Sequence, residues 1–286
     1  MAVPPRRAAF LASMLVVASA GPASPVSVDV DLELVLAVDV SSSMDLEEST
    51  LQREGYVAAF AHPAVHGAIR SGALGRIAVT YFEWSASGHR KVIVDWTLVE
   101  DADSARAFSK ALTLIPVELG SRTSISEAID FAVAMMKENV FAGTRRVIDI
   151  SGDGPNNTGR RVDEARDDAV REGFTINGLP IIKGKASETR GPSMLDLDLY
   201  YETCVIGGTT AFVITAEDPR DIASAIRKKL VLEISNRSPD PATDRTEHAG
   251  RGGLAPPRRP RSVVLAADRE VPRCNIGERQ SLGYIR

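Results

Sequence analysis

The stretch Leu32-Glu33-Leu34-Val35-Leu36-Ala37-Val38-Asp39-Val40-Ser41-Ser42-Ser43 decides how this chain is read. Leu32, Leu34, Leu36 and Val38 alternate with other residues up to Asp39, which reads as a strand running into a hydroxyl-rich loop. Working outward, Ile77 to Phe82 and Val92 to Trp96 read as second and third strands. The short Ser85-Ala86-Ser87-Gly88 between them implies an antiparallel hairpin. Val147 to Ser151, Phe174 to Ile181 and Ala211 to Thr215 complete six strands.

Helical spacing fills the gaps. Ile125, Ala128, Ile129, Ala132 and Met136 share one face, with Ser124 and Glu127 at capping-box spacing at its start. Phe108, Ala111, Leu112 and Ile115 mark another helix, and Val162, Ala165 and Ala169 a third that Gly173 closes. Asp218-Pro219 opens the last one, with Ile222, Ile226 and Leu230 as its buried stripe. Strands alternating with helices predict an α/β fold: an open, mainly parallel sheet with helices on both faces. Ligands of such sheets bind beyond the carboxyl ends of the strands.

The composition fits a soluble domain: of 286 residues, 44% are hydrophobic and 25% charged, enough to bury a core. No apolar run reaches the roughly 18 residues of a membrane span. Arg6 and Arg7, the apolar run from Ala8 to Ala20 and the small-x-small Ala18-Ser19-Ala20 read as a signal peptide over residues 1–24. Export to the periplasm or the extracellular space follows, where Cys204 and Cys274 can pair, although Cys274 falls in the C-terminal tail. Residues 237–286 hold ten arginines among scattered prolines and glycines and read as a disordered tail, leaving residues 25–236 as the folded domain. With both ends basic and the whole at a net −4, the acidic charge gathers in the middle, which favours cations and excludes nucleic acid as the expected partner.

Three loops carry the polar chemistry. Asp39, Ser41 and Ser43 follow the first strand two residues apart, so one backbone path aims all three side chains one way. Thr123 precedes a helix, and Asp153 sits between Gly152 and Gly154 after the fourth strand. Two carboxylates and three hydroxyls suit a hard divalent cation, Mg²⁺ before Mn²⁺ or Ca²⁺, with a coordination position left for an outside oxygen. Helix capping by Ser43 or Thr123 and a structural Gly-Asp-Gly turn are the competing explanations. His62 and His66 stand four apart, but Pro63 between them makes His62 a helix cap rather than a zinc ligand. Glu83 is expected in an ion pair and Asp149 in a structural polar layer.

The Asp-x-Ser-x-Ser run, the later Thr before a helix and the Asp in a glycine turn resemble the metal-ion-dependent adhesion site of von Willebrand factor type A domains. Gly75-Arg76-Ile77-Ala78-Val79-Thr80-Tyr81, Val147 to Asn157 and Val205-Ile206-Gly207-Gly208 resemble, more narrowly, the exported bacterial DUF1194 group. The resemblance implies a doubly wound sheet of order 3-2-1-4-5-6, the third strand antiparallel at one edge. It implies Asp39, Ser41, Ser43, Thr123 and Asp153 as the metal ligand set, a partner protein presenting an Asp or Glu carboxylate, and movement of the last helix on binding. Gly152 departs from the Thr that many relatives carry before this Asp, and Asn156 and Asn157 are expected at the rim. The function expected is metal-dependent protein binding without catalysis. The alternatives are a metal-assisted phosphoryl hydrolase, for which Ser41 stands where a second Asp is needed, and an envelope protein that its metal only braces.

Overall fold

Every residue of the strand Leu32–Asp39 is buried, and the sheet is laid out around it. The computed structural model describes residues 27–86, 88–182, 196–239 and 271–283. The expected signal peptide and residues 240–270 of the expected tail lie outside them.

In chain order the elements are β1 Val28–Val30, β2 Leu32–Asp39, α1 Leu46–Phe60, α2 Pro63–Arg70, β3 Ile77–Trp84 and β4 Arg90–Val99. There follow α3 Ala102–Ala111, α4 Ile125–Glu138, β5 Phe141–Gly143, β6 Arg146–Gly152, α5 Val162–Arg171 and β7 Thr175–Pro180. Then α6 Leu197–Tyr200 runs into a π-helical turn, Tyr201–Val205; a 3₁₀ turn, Pro219–Asp221, leads into α7 Ile222–Ile234, and α8 Ile276–Gly283 comes last.

The main sheet has five strands in the order β4-β3-β2-β6-β7. β3 and β4 are antiparallel and the other pairings parallel, so the hairpin edge is as expected. β1 and β5 form a separate two-stranded parallel ribbon with no counterpart in the sequence reading.

The sixth strand of the expected 3-2-1-4-5-6 order needs correcting. The Ala211–Thr215 stretch does not form a continuous strand and meets β7 only through isolated bridges, Gly178 to Val213 and Ile181 to Ala216. The Gly178 amide donates to the Phe212 carbonyl (3.1 Å), and the Ile214 and Ala216 amides donate back to Gly178 and Pro180 (3.1 and 3.0 Å). The bond between these would come from residue 180, and proline has no N–H to give.

Alternation along β2 sorts the core into two layers. Leu32, Leu34, Leu36 and Val38 pack with Tyr56, Phe60, Val65, Phe108, Ile226 and Leu230 from α1, α2, α3 and α7. Val35 and Ala37 pack on the other face with Ile129, Ala132, Ala165 and Tyr201. Among the described residues no helix is long and apolar enough to cross a membrane.

α7 is fastened to the sheet by polar groups that periodicity does not reveal. Lys229 is fully buried, 2.6 Å from Asp149 on β6 and paired also with Glu233 one turn on. Asn177 on β7 donates to Glu233 (2.9 Å). At the end of α7, Arg145 donates to the carbonyls of Glu233 and Ile234 (both 2.8 Å), satisfying groups that a helix terminus leaves open. Asp149 is thus the structural residue expected.

The C-terminal stretch is not wholly apart from the domain. Cys204 in the π-helical turn is bonded to Cys274 (Cα–Cα 5.4 Å). Cys274 and Ile276 pack against the α4/α5 layer, and Glu278 accepts from Asn156 Nδ2 (2.7 Å).

Two outcomes follow. Glu233 is pushed up to about 7, first by burial and then by the Asp149 carboxylate, with Lys229 and Asn177 pulling it back. From the ordinary 4.5 up to about 7, the folded chain holds a proton that the unfolded chain has released. The stability it contributes is complete below that window and is lost as pH rises through about 7. Thermal melts of Glu233→Gln should therefore show a flatter decline in Tm between roughly pH 5 and 8 than the parent; equal slopes would contradict this. Reducing Cys204–Cys274, which closes a 70-residue separation, should remove about 4 kcal/mol, on the order of 10 °C in Tm. A melt indifferent to reductant would contradict that.

Candidate metal centre

The five residues singled out from sequence come together at the carboxyl end of the sheet. Asp39 closes β2, and its Oδ1 accepts from the Ser41 amide (2.7 Å), which folds the loop back over the strand end. Ser41 Oγ lies 3.0 Å from Ser43 Oγ, and Ser43 Oγ donates to Asp153 Oδ1 at 2.5 Å. Thr123 Oγ1 donates to Ser41 Oγ at 3.3 Å. Asp39, Ser41, Thr123 and Asp153 are buried, while Ser43 is partly exposed and marks the open side.

The competing roles fall to other residues. Asp45, not Ser43, caps α1: its carboxylate accepts from the Glu48 amide, and the Glu48 side chain accepts from the Asp45 amide. Ser124 holds the N-cap position of α4, which leaves Thr123 free to point inward. The capping box expected from Ser124 and Glu127 does not form; Ser124 Oγ donates instead to the Thr158 carbonyl (3.1 Å). The Ser126 amide is met by Asn156 Oδ1 (3.0 Å), a cap supplied from a distant loop.

Three contacts position the Thr123 loop. The Gly120 amide donates to the Val40 carbonyl (2.8 Å). Arg122 has a left-handed φ of 61°, unfavourable for a side chain other than glycine, and turns the chain so that Thr123 faces Ser41. Asn157 staples it twice, accepting from the Thr123 amide and donating its own amide to the Thr123 carbonyl (both 2.9 Å). Asn156 was expected at the rim but is fully buried. It faces inward because its amide donates to Tyr200 (3.1 Å), its Oδ1 caps α4, and its Nδ2 reaches Glu278.

The electrostatics are those of a site short of positive charge. The Asp39 carboxyl is held well above its ordinary range, first by burial, then by the Asp153 carboxylate; the Ser41 amide and hydroxyl and the Asp153 amide pull it down. Asp39 Oδ2 is buried without a hydrogen-bond partner. A buried carboxylate oxygen in that condition costs free energy that a nearby cation offsets. No cluster of three or more His, Cys, Asp or Glu side chains occurs among the described residues, so a cation here would be held by hydroxyls as much as by carboxylates. That donor set fits a hard ion such as Mg²⁺.

The remaining sequence candidates stand elsewhere. Glu83 is paired with buried Arg53, whose Nε donates to it at 2.9 Å. His62 caps α2, accepting from the Ala64 amide (3.1 Å), and His66 bonds the Phe60 carbonyl (2.7 Å). Sequence reasoning missed Tyr201, a fully buried tyrosine beside this centre.

Gly152 is tightly enclosed: a Cβ there would lie 2.9 Å from both Asp39 Oδ2 and the Tyr201 hydroxyl. Gly152→Ala should therefore destabilise the chain by about 1–3 kcal/mol, read as a fall in denaturant midpoint. Parent-like stability would show that the strand end is looser than described.

No curated protein matches the chain. Among solved structures, the pilus adhesin SpaC of Lactobacillus rhamnosus GG aligns with TM-score 0.54 at 12% identity, over 72% of this chain and 31% of the adhesin. Proximal thread matrix protein 1 of the mussel byssus, in a form described as having a zinc-occupied MIDAS motif, aligns with TM-score 0.48 at 14% identity, over 73% of this chain and 47% of that one. A von Willebrand factor type A protein of Catenulispora acidiphila aligns with TM-score 0.46 at 16% identity, over 72% and 43%. The chain thus spans less than half the length of each of these three proteins. The model of a family described as "Protein of unknown function (DUF1194)" matches residues 29–238. This chain belongs to the DUF1194 family, and it shares its α/β fold with the pilus adhesin SpaC.

Proposed function

We propose that the chain is an exported protein-binding module that uses a divalent cation, Mg²⁺ before Mn²⁺ or Ca²⁺, to capture an Asp or Glu carboxylate of a partner protein. The observation that carries this reading is the buried Asp39 carboxylate. Its Oδ2 has no hydrogen-bond partner, and it lies beside Asp153 under the hydroxyls of Ser41, Ser43 and Thr123. Nothing in ordinary core packing rewards that arrangement.

Ser41, Ser43 and Thr123 would hold the ion directly, and Asp39 and Asp153 would balance its charge and orient the serines. A bound ion would supply an electrophilic position for a partner's oxygen. The protein's own part is to keep three loops in register: the Ser41 amide on Asp39, the Gly120 amide on Val40 and Asn157 on Thr123. Ser43, partly exposed, marks the side from which a partner would approach. The fold shared with a pilus adhesin supports a binding role, and the Cys204–Cys274 bond supports an oxidising compartment.

EDTA-treated protein titrated with Mg²⁺ or Mn²⁺ in a calorimeter should take up one ion per chain. Asp39→Ala and Ser41→Ala should lose that uptake. Pull-downs from envelope extracts should yield a partner with Mg²⁺ and not with EDTA. No uptake by the parent protein would overturn the metal reading. Uptake with capture that is indifferent to EDTA would reduce the ion to a brace of the fold.

A further inference from the structure

Tyr201 is fully buried, and its hydroxyl has no hydrogen-bond partner. Such a group costs free energy and calls for an explanation. The surroundings supply one. The ring passes over Gly178 of β7, where a Cβ would lie 2.8 Å from Cδ1, and the hydroxyl reaches Gly152 of β6. Register places Gly178 opposite Ile150 and Gly152 opposite Pro180, so two glycines on adjoining strands form one trough that admits the tyrosine. At the end of this trough stands Asp39 Oδ2, itself a buried oxygen without a hydrogen-bond partner; both atoms lie 2.9 Å from the same point above Gly152. A donor without an acceptor and an acceptor without a donor thus border one notch. Among charged groups, the Asp39 carboxylate acts most strongly on the Tyr201 hydroxyl.

We infer that Tyr201 is a positioning residue for the metal centre, its hydroxyl serving as the hydrogen-bond donor to Asp39 Oδ2 when the ion is bound. This rests on the metal-binding reading above. Asp39 Oδ1 is already held by the Ser41 amide, so a second donor on Oδ2 fixes the carboxylate plane and favours its ionised form. The tyrosine comes from the π-helical turn Tyr201–Val205, in which the Ile206 amide closes on the Tyr201 carbonyl (2.9 Å) and Cys204 is tied to Cys274. The donor is therefore anchored from outside the three loops that carry the ligands. Irregular turns of this type recur where a side chain must be aimed at a site.

The test compares full-length protein and Tyr201→Phe, each treated with EDTA and titrated with Mn²⁺ in a calorimeter while tyrosine absorbance is followed. The variant should bind Mn²⁺ about tenfold more weakly, about 1.4 kcal/mol, and should melt in EDTA as the parent does. The parent should show a tyrosine difference spectrum on adding Mn²⁺ that the variant lacks. Parent-like affinity in a folded variant would overturn the inference and leave the metal centre standing. If the variant does not fold, the parent's spectrum decides: no tyrosine perturbation on Mn²⁺ uptake overturns the inference. A parent that takes up no Mn²⁺ overturns both readings.

Discussion

Two carboxylates held close together away from water constrain everything at the carboxyl end of this sheet. Asp39 ends one strand, Asp153 directly follows its neighbour, and the two repel one another across a buried space; burial alone already opposes the ionised form of Asp39. A fold would avoid such a pair unless something positive joins it. The three hydroxyls, the stapled Thr123 loop and the inward-facing Asn156 become intelligible once that pair is taken as the fixed point. Each holds oxygen atoms near the carboxylates, and none neutralises them.

A second buried charge cluster shows the contrast. At Asp149, Lys229 and Glu233 the chain supplies its own cation, and an ion pair fastens α7 to β6. Taking such groups out of water is expensive, and the return is a defined position for the helix rather than raw stability. Arg145 reinforces it by capping the end of α7. At Asp149 the chain answers a buried carboxylate with its own cation, whereas at Asp39 and Asp153 the neighbouring loops offer hydroxyls and amides. That supply of a cation from within the chain separates Asp149 from the candidate ligands.

Much of this was legible in the sequence because it is local. β2 announced itself by alternation and by the acid at its end, and Asp39, Ser41 and Ser43 lie within five residues. Thr123 and Asp153 were recognisable from their places before a helix and between two glycines. What escaped is long-range or concerns one atom. The sixth strand carried a strand-like pattern, yet its ladder fails for want of a single N–H at Pro180. Ser124 and Glu127 have capping-box spacing, but Asn156, thirty residues away, does the capping. Lys229 carries no signal in the sequence, because nothing nearby in the chain reveals the Asp149 carboxylate on β6. Cys204 and Cys274 pair across a stretch whose composition argued against any docking. Tyr201 had no motif at all; only the trough made by Gly152 and Gly178 gives it a role.

The most direct measurement is anomalous diffraction from crystals of the protein soaked in Mn²⁺. The account predicts one strong peak bonded to the hydroxyl oxygens of Ser41, Ser43 and Thr123 and flanked by Asp39 and Asp153. Well-ordered loops with no peak among these side chains, or a peak only elsewhere on the surface, would contradict it.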